Sequence, residues 1–244
     1  MSFEIDDTDI FGDYATRFTT RQGSEMTLLQ YLELCKADPS AYATAPQRML
    51  EAIGEPVELD TSKDPRLSRI FMNSKIRYYP SFAEFYGMEK AIDDVAAYFK
   101  HAAQGLEEKK QILYLLGPVG GGKSSLAERV KQLFETIPMY VLKAGDQISP
   151  LFEHPFGLFD PVSDGPKLEK RYGIPKSAFK TIMSPWATKR LKELGGDIRE
   201  FKVVKVFPSQ LSRFGIAKAE PGDENNQDIS SLVGKVDIRK LEDS

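Results

Sequence analysis

The stretch Gln111–Phe134 reads QILYLLGPVGGGKSSLAERVKQLF. Its centre, Gly117-Pro118-Val119-Gly120-Gly121-Gly122-Lys123-Ser124, is a full match to G-x-x-x-x-G-K-[ST], the P-loop pattern. Ile112–Leu116 before it is a continuous apolar run of the kind a strand buried on both faces shows. After it, Leu126, Val130, Leu133 and Phe134 recur at i, i+4, i+7 and i+8, which predicts one buried face of a helix. Strand, glycine loop and helix thus stand in the order that a phosphate cradle needs. Glycines let the backbone bend tightly and approach an anion with no Cβ in the way. The loop N–H groups and the helix N-terminus then face the phosphates. In such a site Lys123 reaches the β- and γ-phosphates and the Ser124 hydroxyl ligates Mg²⁺.

Outward from this stretch, the whole chain bounds the reading. It has 244 residues, 41% hydrophobic and 28% charged, so a packed core is expected. A net charge of −3 argues against nucleic acid or a membrane surface as partner. One cysteine, Cys35, excludes a disulfide framework and a cysteine-based zinc site, and reads as a small core residue. There is no apolar run of spanning length, and the acidic start MSFEIDDTDIFGDY is unlike a signal peptide; a cytoplasmic protein is the expectation.

Residues 1–65 read as a small helical N-terminal module with an acidic arm. Within it Leu28, Tyr31, Leu32 and Cys35 share one helical face, and a second helix over Pro46–Ile53 ends at Gly54. Residues 66–244 read as the second domain. Its opening, Leu67–Tyr79, is basic and aromatic, a pattern that fits single-stranded nucleic acid but more commonly a strand or turn packing its aromatics beneath the next element. Ile92, Val95, Ala96, Phe99, Ala102 and Ala103 form a helical stripe ending at Gly105. Met139–Leu142 predicts a strand, Ser184–Leu194 a helix with Pro185 at its first turn, and Phe201–Phe207 a strand. Ser149–Pro175, dense in Pro, Gly and aromatics, reads as a long functional loop; its His154 lies near Glu153 and Asp160 at a spacing that fits no metal motif.

A nucleotide-hydrolysing P-loop domain also needs an acid at the end of a second apolar strand. Asp146, separated from Met139–Leu142 by three residues, is the one candidate, and an ordinary second strand is the preferred reading there. No N-K-x-D element is present, which speaks against a GTPase.

Several segments together resemble the N-terminal, AAA-type region of the PrkA serine protein kinases. They are Phe82–Ile92 (FAEFYGMEKAI), the loop GPVGGGKSS, the run HPFGLFDP, Ser212–Ala217 and Asn226–Asp237. The resemblance implies an α/β fold, a P-loop NTPase parallel sheet of AAA type flanked by helices. It implies that Gly117–Ser125 bind the phosphates and Mg²⁺ of ATP, with Tyr86 and Gly87 near the adenine. It further implies that the acid that orients Mg²⁺, the sensor residues and a kinase-like region follow Ser244, so that this chain binds ATP without turning it over. The activity implied is transfer of the γ-phosphate to Ser or Thr of a protein substrate, in bacterial stress responses. A remodelling ATPase that assembles as a homo-oligomeric ring, and a nucleotide-gated scaffold, are the alternatives.

Overall fold

The computed structural model describes residues 25–118, 120–179 and 182–209, with Leu211, Phe214 and Gly215. The chain divides into two units, up to Pro208 and from Ser209 onward. In chain order the first unit contains β1 (Glu25–Thr27), α1 (Leu28–Ala37), α2 (Ala45–Ile53), β2 (Val57–Asp60), α3 (Pro65–Phe71), β3 (Lys75–Tyr78), α4 (Glu89–Ala103), α5 (Lys123–Phe134), β4 (Met139–Ala144), β5 (Gln147–Ile148), α6 (Gly165–Tyr172), α7 (Pro185–Glu193) and β6 (Lys202–Val206).

The main sheet has the order β1-β6-β4-β5. β6 pairs with β1 (Met26 opposite Val203) and with β4 (Val141 opposite Val204). Flanked on both edges, β4 buries Tyr140, Val141 and Leu142 in succession, and β6 buries Val203 and Val204. β4 turns into β5 through Gly145 and Asp146, with Ala144 opposite Gln147. Gly145 supplies the positive φ (+54°) that this tight turn requires.

Against the sheet lies one aromatic-rich core. Tyr31, Leu32 and Cys35 of α1 meet Leu142, Phe156, Phe179, Phe201 and Val203 there. α1 starts on a capping box: the Gln30 N–H donates to Thr27 Oγ1 at 3.2 Å, and the Thr27 N–H donates to Gln30 Oε1 at 2.8 Å. The helices of the module predicted at residues 1–65 therefore share cores with elements later in the chain, α1 with the sheet and α2 with α4 and α5. Met49, Ile53, Ile92, Val95, Ala96 and Leu126 are buried on those helices.

Three expectations change. The predicted parallel sheet is not what the described residues form: every strand pair in both sheets is antiparallel. The physical reason lies in Ile112–Leu116, which forms no strand and has no neighbouring strand among the described residues. Ile112, Tyr114 and Leu116 are 66%, 57% and 81% exposed, so the run is not buried on both faces. Second, the long loop Ser149–Pro175 carries regular elements of its own. It holds a single 3₁₀ turn, Pro155–Leu158, and α6, and it buries Phe156, Leu158, Phe159, Leu168, Tyr172 and Ile174. Third, the basic-aromatic segment Leu67–Tyr79 contains the expected turn, through Met72 and Asn73, and the expected strand, β3, which pairs with β2, but it begins as part of the helix α3. Tyr79 alone of its aromatics is buried.

In the second unit Ser209 and Phe214 form an antiparallel bridge. The predicted acidic arm, Val119, and, apart from Phe214 and Gly215, the segments quoted over 212–217 and 226–237 lie outside the described residues.

Candidate nucleotide-binding site

The glycine loop leads straight into α5. Gly122 caps the helix with φ +75° and no side chain to offer, so the first-turn N–H groups of Lys123, Ser124 and Ser125 have no side-chain cap. The helix's first backbone bond runs from the Leu126 N–H to the Gly122 carbonyl at 2.9 Å. Gly120 also sits at positive φ, +78°. The Gly121 N–H donates to the Pro118 carbonyl at 3.2 Å, closing a turn. A Cβ on Gly121 would fall 3.1 Å from that carbonyl, and one on Gly122 would fall 2.9 Å from Met88 Sδ. Bare backbone is therefore required on this surface, and it presents donors to an anion.

Lys123 is the first residue of α5. Its ammonium donates to the Gly117 carbonyl and to the Pro118 carbonyl, the latter at 2.8 Å. Ser124 and Ser125 follow on the exposed first turn.

Beside the loop a cleft of about 510 Å³ is lined by Gly120, Gly121, Gly122 and Ser125 on one side and by Glu84, Phe85, Tyr86 and Met88 on the other. Tyr86 is 88% exposed, its ring open to this cleft. Gly87 does not line the cleft; with φ +76° it turns the chain, and its N–H donates to Glu89 Oε1 at 3.3 Å. The structure thus brings Tyr86 to three of the loop glycines and Ser125, with Gly87 as the hinge behind it. Gly117 and Pro118 hold the lysine, and Ser124 stands on the adjoining turn.

Arg129 on α5 fastens the two walls together. Its Nε donates to the Ser81 carbonyl at 2.8 Å and lies 3.1 Å from Glu84 Oε1. The sequence carries no signal for this residue. Phe85 and Met88 were legible as neighbours of Tyr86-Gly87 but not as walls of the cleft.

The donor set fits a chain of phosphates: a cradle that a Cβ would fill, an ammonium beside it and an exposed hydroxyl one residue on. Among the described residues no three His, Cys, Asp or Glu side chains form a group able to hold a metal. A divalent ion here would therefore rest on Ser124 and on phosphate oxygens. Asp146 sits exposed in the β4–β5 turn, on neither wall of the cleft.

The other singled-out residues serve the core. His154 Nδ1 accepts from the Phe156 N–H at 3.1 Å, so the proton lies on Nε2, 3.2 Å from the Tyr31 hydroxyl. That hydroxyl donates to the Ala41 carbonyl at 3.1 Å. Burial, and then the nearby Arg48 charge, lower the His154 pKa to about 4. Glu153 accepts from both the N–H and the hydroxyl of Ser184, which in turn caps α7. Burial pushes the Cys35 thiol up to about 12, which makes it a poor nucleophile.

A fold of mixed α and β elements with a glycine loop at a helix start defines a class broader than one family. The family model described as the PrkA AAA domain matches residues 26–244, and the chain belongs to that family. The protein named Serine/threonine kinase YeaG in Escherichia coli (strain K12) is 62% identical over 234 residues, covering 96% of this chain and 36% of that protein. The protein named ATP-dependent protease PrkA in Bacillus subtilis (strain 168) is 31% identical over 225 residues, covering 89% of this chain and 33% of that protein. The chain thus spans about a third of the length of these relatives. No solved structure matches it. Among the described residues no helix is long and apolar enough to cross a membrane.

Proposed function

We propose that this chain binds Mg-ATP through Gly117–Ser125, and that it is the nucleotide-binding region of a cytoplasmic protein serine/threonine kinase. The observation that carries the binding is the glycine loop, with Gly120 and Gly122 at positive φ, opening one wall of a cleft whose other wall is Phe85, Tyr86 and Met88. The phosphates lie on the loop amides and the start of α5. The adenine lies against Tyr86, whose exposed ring offers a stacking face. Lys123 exchanges the Gly117 and Pro118 carbonyls for phosphate oxygens, and the Ser124 hydroxyl helps to hold Mg²⁺. The bound nucleotide supplies a transferable γ-phosphoryl group. Lys123 and the N–H groups stabilise the negative charge that spreads over its oxygens during transfer.

The kinase part of the proposal is supported by the name of the Escherichia coli relative. A second reading, in which ATP drives work on a bound protein, is supported by the name of the Bacillus subtilis relative. Incubating the full-length protein with γ-labelled ATP and a cell extract separates them. Label transferred to protein supports the kinase. Free phosphate with loss of a protein substrate, and no labelled protein, supports the second. For the site itself, Mg-ATP is expected to raise the melting temperature and Lys123→Ala to abolish the rise; an equal rise in the variant refutes the assignment.

A further inference from the structure

Met88 is the one cleft side chain packed directly on the glycine loop. Its Sδ lies 2.9 Å, and its Cε 3.6 Å, from the point that a Cβ on Gly122 would occupy. The thioether therefore fills the space over the last glycine, where the loop becomes α5. Met88 is half-buried and lines the cleft on the wall opposite Ser125.

Its backbone is held on both sides. Met88 stands just before α4, and its carbonyl accepts from the Ile92 N–H at 2.9 Å. The Gly87 N–H before it donates to Glu89 Oε1. A change at the sulfur is therefore taken up between this side chain and the loop. Across the contact, Gly122 offers no side chain, and the first-turn N–H groups of α5 have no side-chain cap. Those N–H groups are the donors that an anion needs. A thioether sulfur is a weak acceptor and leaves them open. Its sulfoxide is polar and chiral, with an oxygen that accepts strongly.

We propose that Met88 is an oxidation site at which a peroxide closes the phosphate cradle; the proposal rests on the nucleotide reading of this cleft. A sulfur lone pair attacks one oxygen of hydrogen peroxide, and the S–O bond forms as the O–O bond breaks. The departing hydroxide takes the proton of the transferred oxygen and leaves as water. Sulfur is oxidised by two electrons and the peroxide is reduced by two. The sulfoxide oxygen then accepts from the N–H groups at Gly122 and the start of α5, in the place of a phosphate oxygen. ATP must displace an acceptor that is tethered inside its own site. A methionine sulfoxide reductase reverses the step: a dithiol becomes a disulfide, and the oxygen leaves as water.

Two other methionines serve as references, since Met72 is exposed and lies outside the cleft, and Met49 is buried. The full-length protein is treated with hydrogen peroxide and each methionine is followed by peptide mass spectrometry. Met88 is expected to oxidise faster than Met49, and Mg-ATP is expected to slow Met88 without slowing Met72. Calorimetry should show Mg-ATP affinity falling by about tenfold or more once Met88 is the sulfoxide, in the wild type and in Met72→Leu alike. Methionine sulfoxide reductases A and B with a dithiol should restore it. Met88→Leu, compared with its own untreated form, should lose no affinity on the same treatment. Met88→Gln, which carries a fixed acceptor, should bind Mg-ATP about tenfold more weakly than Met88→Leu without any peroxide. Untreated wild type that does not bind Mg-ATP refutes the nucleotide reading and this proposal with it. Where untreated protein binds, the proposal alone is overturned by full affinity with Met88 oxidised, by an equal loss in Met88→Leu, by Met88 staying as unreactive as Met49, or by oxidation of Met88 at the same rate with Mg-ATP bound.

Discussion

His154 shows how one buried side chain sets a pH limit on the fold. Its pKa falls from the ordinary 6.5 to about 4 on folding. Between those values the unfolded chain takes up a proton that the folded chain refuses. The stability it confers is full above pH 6.5 and is lost as pH falls toward 4. The shift corresponds to about 3 kcal/mol. Urea unfolding at pH 7 and pH 4.5 should show most of that loss, and a His154→Phe variant should show a shallower dependence on pH. Gly122 sets a limit of another kind. Gly122→Ala must hold an L side chain at φ +75° and displace Met88 Sδ from 2.9 Å. The left-handed conformation alone costs about 1–2 kcal/mol. A fall in melting temperature is expected, together with a loss of ATP affinity of about tenfold or more, checked by calorimetry.

At the scale of elements, α5 carries more than its first turn. Arg129, on its second turn, holds Ser81 and Glu84, and so fixes the segment that presents Phe85 and Tyr86. Hydrogen bonds from a charged group contribute about 1.5–3 kcal/mol. Arg129→Ala should therefore weaken ATP, measured by competition with a fluorescent nucleotide, by about tenfold while leaving the binding of inorganic triphosphate, which touches only the loop, nearly unchanged. The elements themselves were legible where local rules agree. The shared face of Leu28, Tyr31, Leu32 and Cys35, Pro185 in a first turn and Gly54 after a last one marked α1, α7 and α2 to within a residue or two. α6 escaped notice because Pro166 and Gly173 read as loop punctuation. In fact they sit at its first and last turns, around the buried pair Leu168 and Tyr172.

At the scale of the whole molecule, Ile112–Leu116 decides what local reading can reach. Five apolar residues before a glycine loop say that a strand is wanted; they do not say which neighbours it finds. Pairing partners are set by long-range packing, and here β4 and β6 pair with each other and with β1 and β5 instead. The candidate site divides in the same way. The loop and Tyr86 could be read from their order in the chain, whereas Met88 over Gly122 and Arg129 under Ser81 come only from folding. The open run makes a direct prediction. In the 244-residue chain the amides of Ile112–Leu116 should exchange with deuterium far faster than those of Val141, Leu142, Val203 and Val204, which lie in the sheet. Comparable protection would mean that the run has found a partner strand.

The ammonium of Lys123 lies across the carbonyls of the loop that carries it. It therefore acts as an internal strut, holding the arch of Gly117–Gly122 in shape before any anion arrives. Nucleotide binding is then an exchange of oxygens around one cation, not the capture of a free charge, and much of the enthalpy of the new contacts is offset by the old ones. Removing the side chain collapses the strut as well as the charge. Lys123→Ala thus loses the readiness of the loop together with its attraction, and it should weaken even adenosine, which has no phosphate for the lysine to touch.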